Sequence, residues 1–452
     1  MDARQIRDRI SGLAETFRQE GPTPPAERRK RLKTLAKIFC ARTDAAAAAL
    51  LDDWGRSETE ALFSELLPLA RDLRCFASHV TGWAAPVSGG LSVFNFPGRA
   101  CTVAVPLGVV LITAPADLPI LRTLHLTSGA YAAGNKVVLK LSTRVPHSMQ
   151  FVRWLIEECF SPEEVLVVDG EISFEELCRL PFDRVFPAGE GGDAGTPFAV
   201  SGRRGKSPCV VHHTADPVNA AWRICRAKFF NAGAWFGAPE VLLVERNVRD
   251  GLMGALREAL LNFYGDDPLE KLQGLADDGS YARVVKLAEQ GRLLAGGERD
   301  PRRRALGPTI IDRLQPEDPL LTQLIDGPVR PVLEFDSDAE LLGLLEKMAP
   351  APALYFFGDA PELREKLLDT FPASCVVFND AGTQLFNRTL PQEGAGTGES
   401  LNGRHTFELF SRRKQVMERS ELFNFRGFFP PYSERFLRFL AKLYGLKLKK
   451  KP

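Results

Sequence analysis

The residues best placed to do chemistry lie between Cys225 and Glu240: Cys-Arg-Ala-Lys-Phe-Phe-Asn-Ala-Gly-Ala-Trp-Phe-Gly-Ala-Pro-Glu. Ahead of the turn, 217–230 carries Ala221, Ile224 and Phe229 at helical spacing. Asn231 and Gly233 both tolerate the positive φ that ends a helix. Val241-Leu242-Leu243-Val244 then reads as a strand. A helix end feeding a tight turn before a strand holds a side chain on rigid backbone, which suits a catalytic group. This turn holds Trp235 and Phe236, and neither can act as a nucleophile.

The other reactive residue types fit structural roles better. Cys209 and Cys225 fall on apolar patterns and read as core thiols. The tandem His212-His213 is too closely spaced to suggest a metal motif, so it reads as loop and no metal site is expected. Gly205-Lys206-Ser207 resembles the end of a phosphate loop, but position 200 is Val200 instead of glycine. The segment also precedes a strand where a phosphate loop follows one.

These residues must be positioned by a chain of 452 residues, long enough for about two or three domains. It is 44% hydrophobic and 25% charged with a net charge of +1, so nothing global points to nucleic acid. The basic run 446–451 reads as a solvated end. No run of about 18 apolar residues exists to span a membrane. The start lacks the charged-then-apolar form of a signal peptide. The eight cysteines (40, 75, 101, 159, 178, 209, 225 and 375) have no CxxC spacing, which favours reduced thiols and a cytoplasmic location.

Residues 2–80 show helical apolar stripes, such as Ile6, Ile10, Leu13 and Phe17, broken by the Gly and Pro residues of 21–25. The Gly- and Pro-rich 84–99 suits a loop or hairpin. Strands are then predicted at 109–113, 136–139, 165–168 and 184–186, with helices at 118–133, 146–159 and 174–180 between them. That alternation predicts a parallel, doubly wound α/β sheet. A second alternation starts at 209–211 and runs through 241–244, 248–264, 331–335, 339–348, 354–357 and 375–378. The expected organisation is 1–208 as a helical region with a Rossmann-like cofactor domain and 209–385 as a catalytic-type α/β domain. Residues 386–452 are expected to return to the first domain and supply an oligomerisation strand and tail, 424–444 ending in an amphipathic helix.

The central stretch resembles the catalytic segment of the aldehyde dehydrogenase superfamily, close to Lys-Phe-x-Asn-Ala-Gly-Gln-x-Cys-x-Ala-Pro. Lys228, Phe229, Asn231, Ala232, Gly233, Ala238 and Pro239 match it. Further matches follow in family order: 106–110, 132–140, 205–208 and 407–413, so the resemblance covers nearly the whole chain. The tail motif Pro430-Pro431-Tyr432 looks most like class 3 members. The resemblance implies the aldehyde dehydrogenase fold, and the reactive positions depart from it.

In the family a cysteine attacks the aldehyde, an asparagine steadies the oxyanion, a glutamate activates water and a nicotinamide dinucleotide accepts hydride. Here the cysteine position is Phe236, and the asparagine position is Asp117, which also reads as a helix N-cap before Pro119. The glutamate position falls on Ser201 or Gly202. Loss of a nucleophile costs on the order of 10⁶ in rate. Lys140 keeps the family's ribose-contacting position, while the acidic partner that often follows is Thr143. The glycine turn keeps Gly189 and Gly191 but adds Glu190 and Asp193, both repulsive to phosphate. The nicotinamide-ribose segment has Leu324 and Asp326 where the family has glutamate and phenylalanine, and the later Pro-Phe-Gly-Gly pattern reads Pro391-Gln392-Glu393-Gly394.

The leading expectation is therefore a family member without aldehyde dehydrogenase activity, acting as a scaffold or non-catalytic subunit. It would form a homodimer, or a heterodimer with an active relative. No cofactor is expected, or at most weak NAD(P) binding at Lys140, Gly189 and Gly191. Phe229, Trp235, Phe236 and Asp117 would mark any remaining pocket, although the aromatic rings suit filling of the old active site better. One alternative is an enzyme that reuses the cleft on an aromatic or acyl substrate, with Asp117, Glu190, Asp193 and Lys140 as its ionisable groups. The other is an active NAD(P)-dependent aldehyde oxidoreductase.

Overall fold

The computed structural model describes residues 3–91, 95, 97–168, 172–187, 205–233, 235, 237–314, 318–322, 325–387, 390, 392–393, 400–421 and 429–447. Its strands in chain order are β1 Val87–Ser88, β2 Gly98–Pro106, β3 Val109–Thr113, β4 Lys136–Lys140, β5 Val165–Val168, β6 Arg184–Pro187, β7 Ser207–Val211, β8 Pro239–Glu245 and β9 Arg292–Ala295. They continue with β10 Arg299–Asp300, β11 Ala305–Leu306, β12 Thr309–Asp312, β13 Val329–Phe335, β14 Leu354–Phe357, β15 Val376–Phe378, β16 Gln392–Glu393, β17 Ser400–Leu401 and β18 Ser411–Arg419. Two units form, one from 1–83 with 106–411 and the other from 84–105 with 412–452.

The first unit opens with α1 Ala3–Glu20, α2 Pro25–Ala41 and α3 Thr43–Trp54. Gly21 and Gly55 take positive φ at the ends of the first and third, where an L side chain would be strained. After α4 Glu58–Ala61, a single π turn, Leu62–Leu66, leads into α5 Leu67–Trp83. The π turn buries Ser64, Glu65 and Leu66 together, placing a carboxylate on the inner face.

Its first sheet has the order β5-β4-β3-β6, all parallel. Every residue of β3, β4 and β5 is buried, which is why those strands read as unbroken apolar runs. The chain winds outward from β3 through α6 Pro119–Ala133 and α7 Pro146–Cys159, then returns to β3's other side as β6. The strand order reverses between β3 and β6, the place where doubly wound sheets hold ligands.

The second sheet has the order β15-β14-β7-β8-β13-β12-β9. Six of its strands are parallel, and β9 at one edge runs antiparallel to β12. Both β9 and β12 are absent from the sequence expectation, since their four residues hold apolar runs of only three and two. Helices α9 Pro217–Phe229 and α10 Arg246–Tyr264 cover one face, burying Ile224, Leu252 and Leu256 with Leu242 and Val244. The other face packs Leu243, Val284, Phe335 and Phe356.

The second unit is a three-stranded sheet, β1-β2-β18, with an amphipathic helix, Glu434–Leu443. β1 pairs antiparallel to β2, as expected for a hairpin in this region. Among the described residues, no helix is long and apolar enough to cross a membrane.

Candidate functional site

Asp216 caps α9, its carboxylate accepting the N–H groups of Val218 at 2.9 Å and Asn219 at 3.2 Å. Ala221, Ile224, Cys225 and Phe229 pin the helix to the sheet, so the turn that follows is anchored on both sides. Asn231, Ala232 and Gly233 take φ of 50°, 50° and 75° in succession. Asn231 and Gly233 fit the expected helix stop, whereas left-handed Ala232 was not foreseen. That conformation costs an L residue about 1–2 kcal/mol, so its surroundings must hold it.

Several contacts do so. Glu60 Oε1 accepts the Asn231 N–H at 3.2 Å, and Gln273 Nε2 donates to the Asn231 carbonyl at 3.1 Å. Gly233 backs onto Gly327, where a Cβ would lie 2.4 Å from the Gly327 carbonyl oxygen. The Ile325-Asp326-Gly327 segment thus supports the turn from behind with its backbone. Trp235 Nε1 donates to Ala227 O at 2.7 Å and its ring rests on Gly382. The Tyr355 hydroxyl donates to Gly237 O and accepts from the Gln384 amide. Phe229 and Trp235 both belong to the buried core of the second sheet. Both polar atoms of the Asn231 amide are buried with no hydrogen-bond partner among the described residues.

The opposing wall is the turn between β3 and α6. Asp117 does not cap α6, because the helix begins at Pro119 behind Leu118, which takes φ of 46° and offers no side-chain cap. Both Asp117 carboxylate oxygens instead lie 2.6 and 2.7 Å from Arg122 Nη1, and the carboxylate is therefore ion-paired. The cap comes from Glu65, whose Oε2 accepts the Ile120 and Leu121 N–H groups, each at 2.8 Å. Fully buried, its carboxyl is pushed up by burial while Arg56 opposes the shift.

Glu65 closes a chain that joins the two walls. Arg56 bonds Glu65 by Nη1 and Gln273 Oε1 by Nε at 2.7 Å, and Gln273 holds the Asn231 carbonyl. Sequence reasoning missed Glu60, Glu65, Arg56 and Gln273. One signal was present: Glu65 falls at helical spacing with Leu69, Leu73 and Phe76 on a buried stripe, where only a partnered carboxylate is tolerated.

Lys140 ends β4 directly beside Thr113 of β3, with its side chain buried at the carboxyl edge. β6 ends at Pro187, so the glycine turn with Gly189, Glu190, Gly191 and Asp193 starts from that same edge but lies outside the described residues. Phe236, Ser201, Gly202, Leu324, Pro391 and Gly394 lie outside them too. The reversal of strand order beside β3, with a buried lysine at the strand ends, fits the adenosine half of a dinucleotide.

No cysteine offers the missing thiolate. Burial pushes the Cys225 thiol up to about 12, and its Sγ faces Leu256 O at 3.8 Å. Cys209 is fully buried on β7 and is shifted in the same direction. A thiol in either state is a poor nucleophile at neutral pH.

Comparison with known proteins agrees with this architecture. The profile of the "Aldehyde dehydrogenase family" matches residues 1–180 and 202–416. The 4,4'-diaponeurosporen-aldehyde dehydrogenase of Staphylococcus aureus (strain NCTC 8325 / PS 47) is 27% identical over 432 residues, covering 90% of this chain and 93% of that protein. Aldehyde dehydrogenase family 3 member H1 of Arabidopsis thaliana is 29% identical, covering 88% and 86%. Among solved structures, the substrate-bound state of Staphylococcus aureus AldH superposes with a TM-score of 0.88 at 26% identity, covering 97% and 99%.

The expectation that no cofactor is held is overturned by these comparisons. Structures of the same fold contain one: NAD+ in an aldehyde dehydrogenase from Bacillus cereus (TM-score 0.78, 20% identity, covering 91% and 88%) and NADP+ in a succinic semialdehyde dehydrogenase from Streptococcus pyogenes (TM-score 0.78, 19% identity, covering 92% and 95%). The physical reason is that doubt rested on a few side chains, whereas the strand-order reversal that makes such a cleft belongs to the backbone and is intact here. The chain, from its profile match to its two sheets, belongs to the aldehyde dehydrogenase family.

Proposed function

We propose that this chain is a dinucleotide-binding member of the aldehyde dehydrogenase family that does not oxidise aldehydes and serves as a partner or non-catalytic subunit. One observation carries the reading. Phe236 stands at the nucleophile position in a gapless register between Asn231-Ala232-Gly233 and Ala238-Pro239, and no cysteine occurs between 226 and 374. A phenyl ring cannot form the covalent adduct that thiol chemistry requires. A bound nicotinamide would supply a hydride acceptor, but its use depends on that adduct. Lys140 would position the adenosine end, and the Arg56–Glu65 pair keeps the two walls in register whether or not chemistry occurs.

The subunit role is supported by β18. All nine of its residues are exposed or half-exposed, it pairs with β2 on one side, and among the described residues no further strand pairs with its other edge. Eight cysteines, none joined in a disulfide, support a reducing compartment, and we place the protein in the cytoplasm.

The test is calorimetric titration with NAD+ and NADP+, followed by absorbance at 340 nm with an aldehyde panel. Dinucleotide binding without aldehyde-dependent absorbance is the expected result. Steady turnover of any aldehyde would overturn the inactive reading. A lone monomer in size-exclusion chromatography, with no capture of an active relative, would remove the subunit role.

A further inference from the structure

At the opposite edge of the second sheet from the Asn231–Gly233 turn, metal-ligand side chains lie at or just beyond the ends of three strands. His212 and His213 follow β7, Glu245 is the last residue of β8, and Asp338 opens the helix Asp338–Glu346 after β13. Parallel pairing of β7, β8 and β13 makes these strand ends neighbours, although Glu245 lies 32 residues beyond His213. His212 and His213 lie in loop, as expected; the sheet then brings to them carboxylates from other strands.

We propose that His212, His213 and Glu245 bind a divalent transition-metal ion of the zinc class. Their ligand atoms all lie within 4.8 Å of one another. His213 Nδ1 is 2.8 and 3.0 Å from the two Glu245 oxygens, and His212 Nε2 is 3.6 Å from Glu245 Oε2. Tetrahedral zinc with bonds of about 2.0–2.2 Å sets ligand atoms roughly 3.3 Å apart, so the two histidine–Glu245 distances lie within about half an ångström of that spacing, while the ligand set as a whole, within 4.8 Å, closes around an ion by side-chain rotation of up to about 1.5 Å. Two imidazoles and a carboxylate suit zinc, with a fourth position left for water or for Asp338. Asp338 Oδ1 lies 3.5 Å from His212 Nε2 and adds a second negative charge to balance the ion.

The surroundings are those of a built site. The His212 and Glu245 side chains are 5% and 9% exposed, whereas His213 is 51% exposed and gives an ion its entry. Glu245 is further fixed by the His213 backbone N–H, 2.8 Å from Oε2. Ligation through His212 Nε2 requires the ring proton on Nδ1. That nitrogen lies 2.8 Å from Thr214 Oγ1, which also accepts the Asp359 N–H at 2.7 Å, and 3.4 Å from the Thr214 N–H, so a bound ion would select the tautomer in which Nδ1 donates to Oγ1 over the one in which it accepts from the backbone. Such outer partners orient a ligating imidazole. A bound ion would tie the ends of β7 and β8 together and raise thermal stability by mass action.

The test uses the full chain stripped with chelator, then titrated with Zn2+ by calorimetry and with Co2+ by visible absorption. One ion per chain is expected, with d–d bands of tetrahedral cobalt and a rise in Tm. His213→Ala, at a half-exposed position, and the isosteric Glu245→Gln should each weaken Zn2+ binding by more than tenfold, and Thr214→Val by about tenfold. No binding at millimolar Zn2+ in the unaltered protein would overturn the site, leaving His213–Glu245 as an ion pair only. Binding that His213→Ala and Glu245→Gln leave unchanged would overturn it equally, assigning the ion to other histidines.

Discussion

At the amino edge of the second sheet, the Asn231–Gly237 turn is an apolar, backbone-determined structure. Left-handed residues, a glycine packed on Gly327 and a tryptophan tied to Ala227 hold its shape. About 20 Å away, at the far ends of the same parallel strands, the carboxyl edge is built from charge. There Glu245 meets two histidines, and Asp312 and Glu334 meet Arg249. The first edge keeps the shape of its turn through residues 231–233, 235 and 237. The second carries a set of ligating groups that the family resemblance did not point to. Shape and chemistry are therefore separable in this fold: one edge holds its turn by backbone packing and by side-chain bonds to backbone groups, while the other gathers reactive side chains at strand ends.

The comparison breaks first at Phe236. Phe236→Cys should gain a thiol that labels with iodoacetamide in a single equivalent, and aldehyde-dependent absorbance at 340 nm of at most one equivalent per chain. Steady turnover is not expected, since positions 201 and 202 are Ser201 and Gly202. A multiple-turnover variant would show that the site lost only its nucleophile. A variant that neither labels nor reacts would show that the turn no longer presents its residue to the cleft.

Gly233→Ala sharpens the claim that backbone governs the amino edge. The substitution combines positive φ with a Cβ placed against the Gly327 carbonyl, and should cost about 3 kcal/mol. Urea unfolding measures it, and an unchanged midpoint would mean that the turn can relax freely.

A smaller effect tests the charged edge. Asp312 accepts from Arg292 Nε at 2.8 Å and Nη2 at 2.6 Å, and from Arg249 Nη2 at 2.7 Å. These partners, Arg292 first, hold its carboxyl below the usual aspartate range. A lowered folded pKa contributes stability that is present above the unfolded value and lost as pH falls through the folded one. Asp312→Asn should therefore cost about 2 kcal/mol at neutral pH and flatten the acid limb of the stability profile between about pH 5 and 2. Parallel acid limbs for the two proteins would remove Asp312 from the account.

Local pattern made much of this protein legible. Helix spacing and apolar runs located both alternating sheets, and the junctions at Asn231 and Gly233 were readable because those residue types tolerate left-handed backbone. That residue 236 is phenylalanine, in a gapless register between Asn231-Ala232-Gly233 and Ala238-Pro239, is read from the sequence and needs no coordinates. The cofactor reading failed because it weighed side chains such as Glu190 and Asp193 against a cleft that strand order creates.

Only the tertiary structure decided the rest. Glu65 replaces Asp117 as the cap of α6, Gln273 reaches the turn from a distant segment, and left-handed Ala232 is held by neighbours that no local rule predicts. His212, His213, Glu245 and Asp338 become one group through the register of β7, β8 and β13. The physical reason is common to all of them. Periodicity and turn chemistry act over a few residues, whereas a buried carboxylate or a ligand set is completed by whichever strand end the sheet brings beside it.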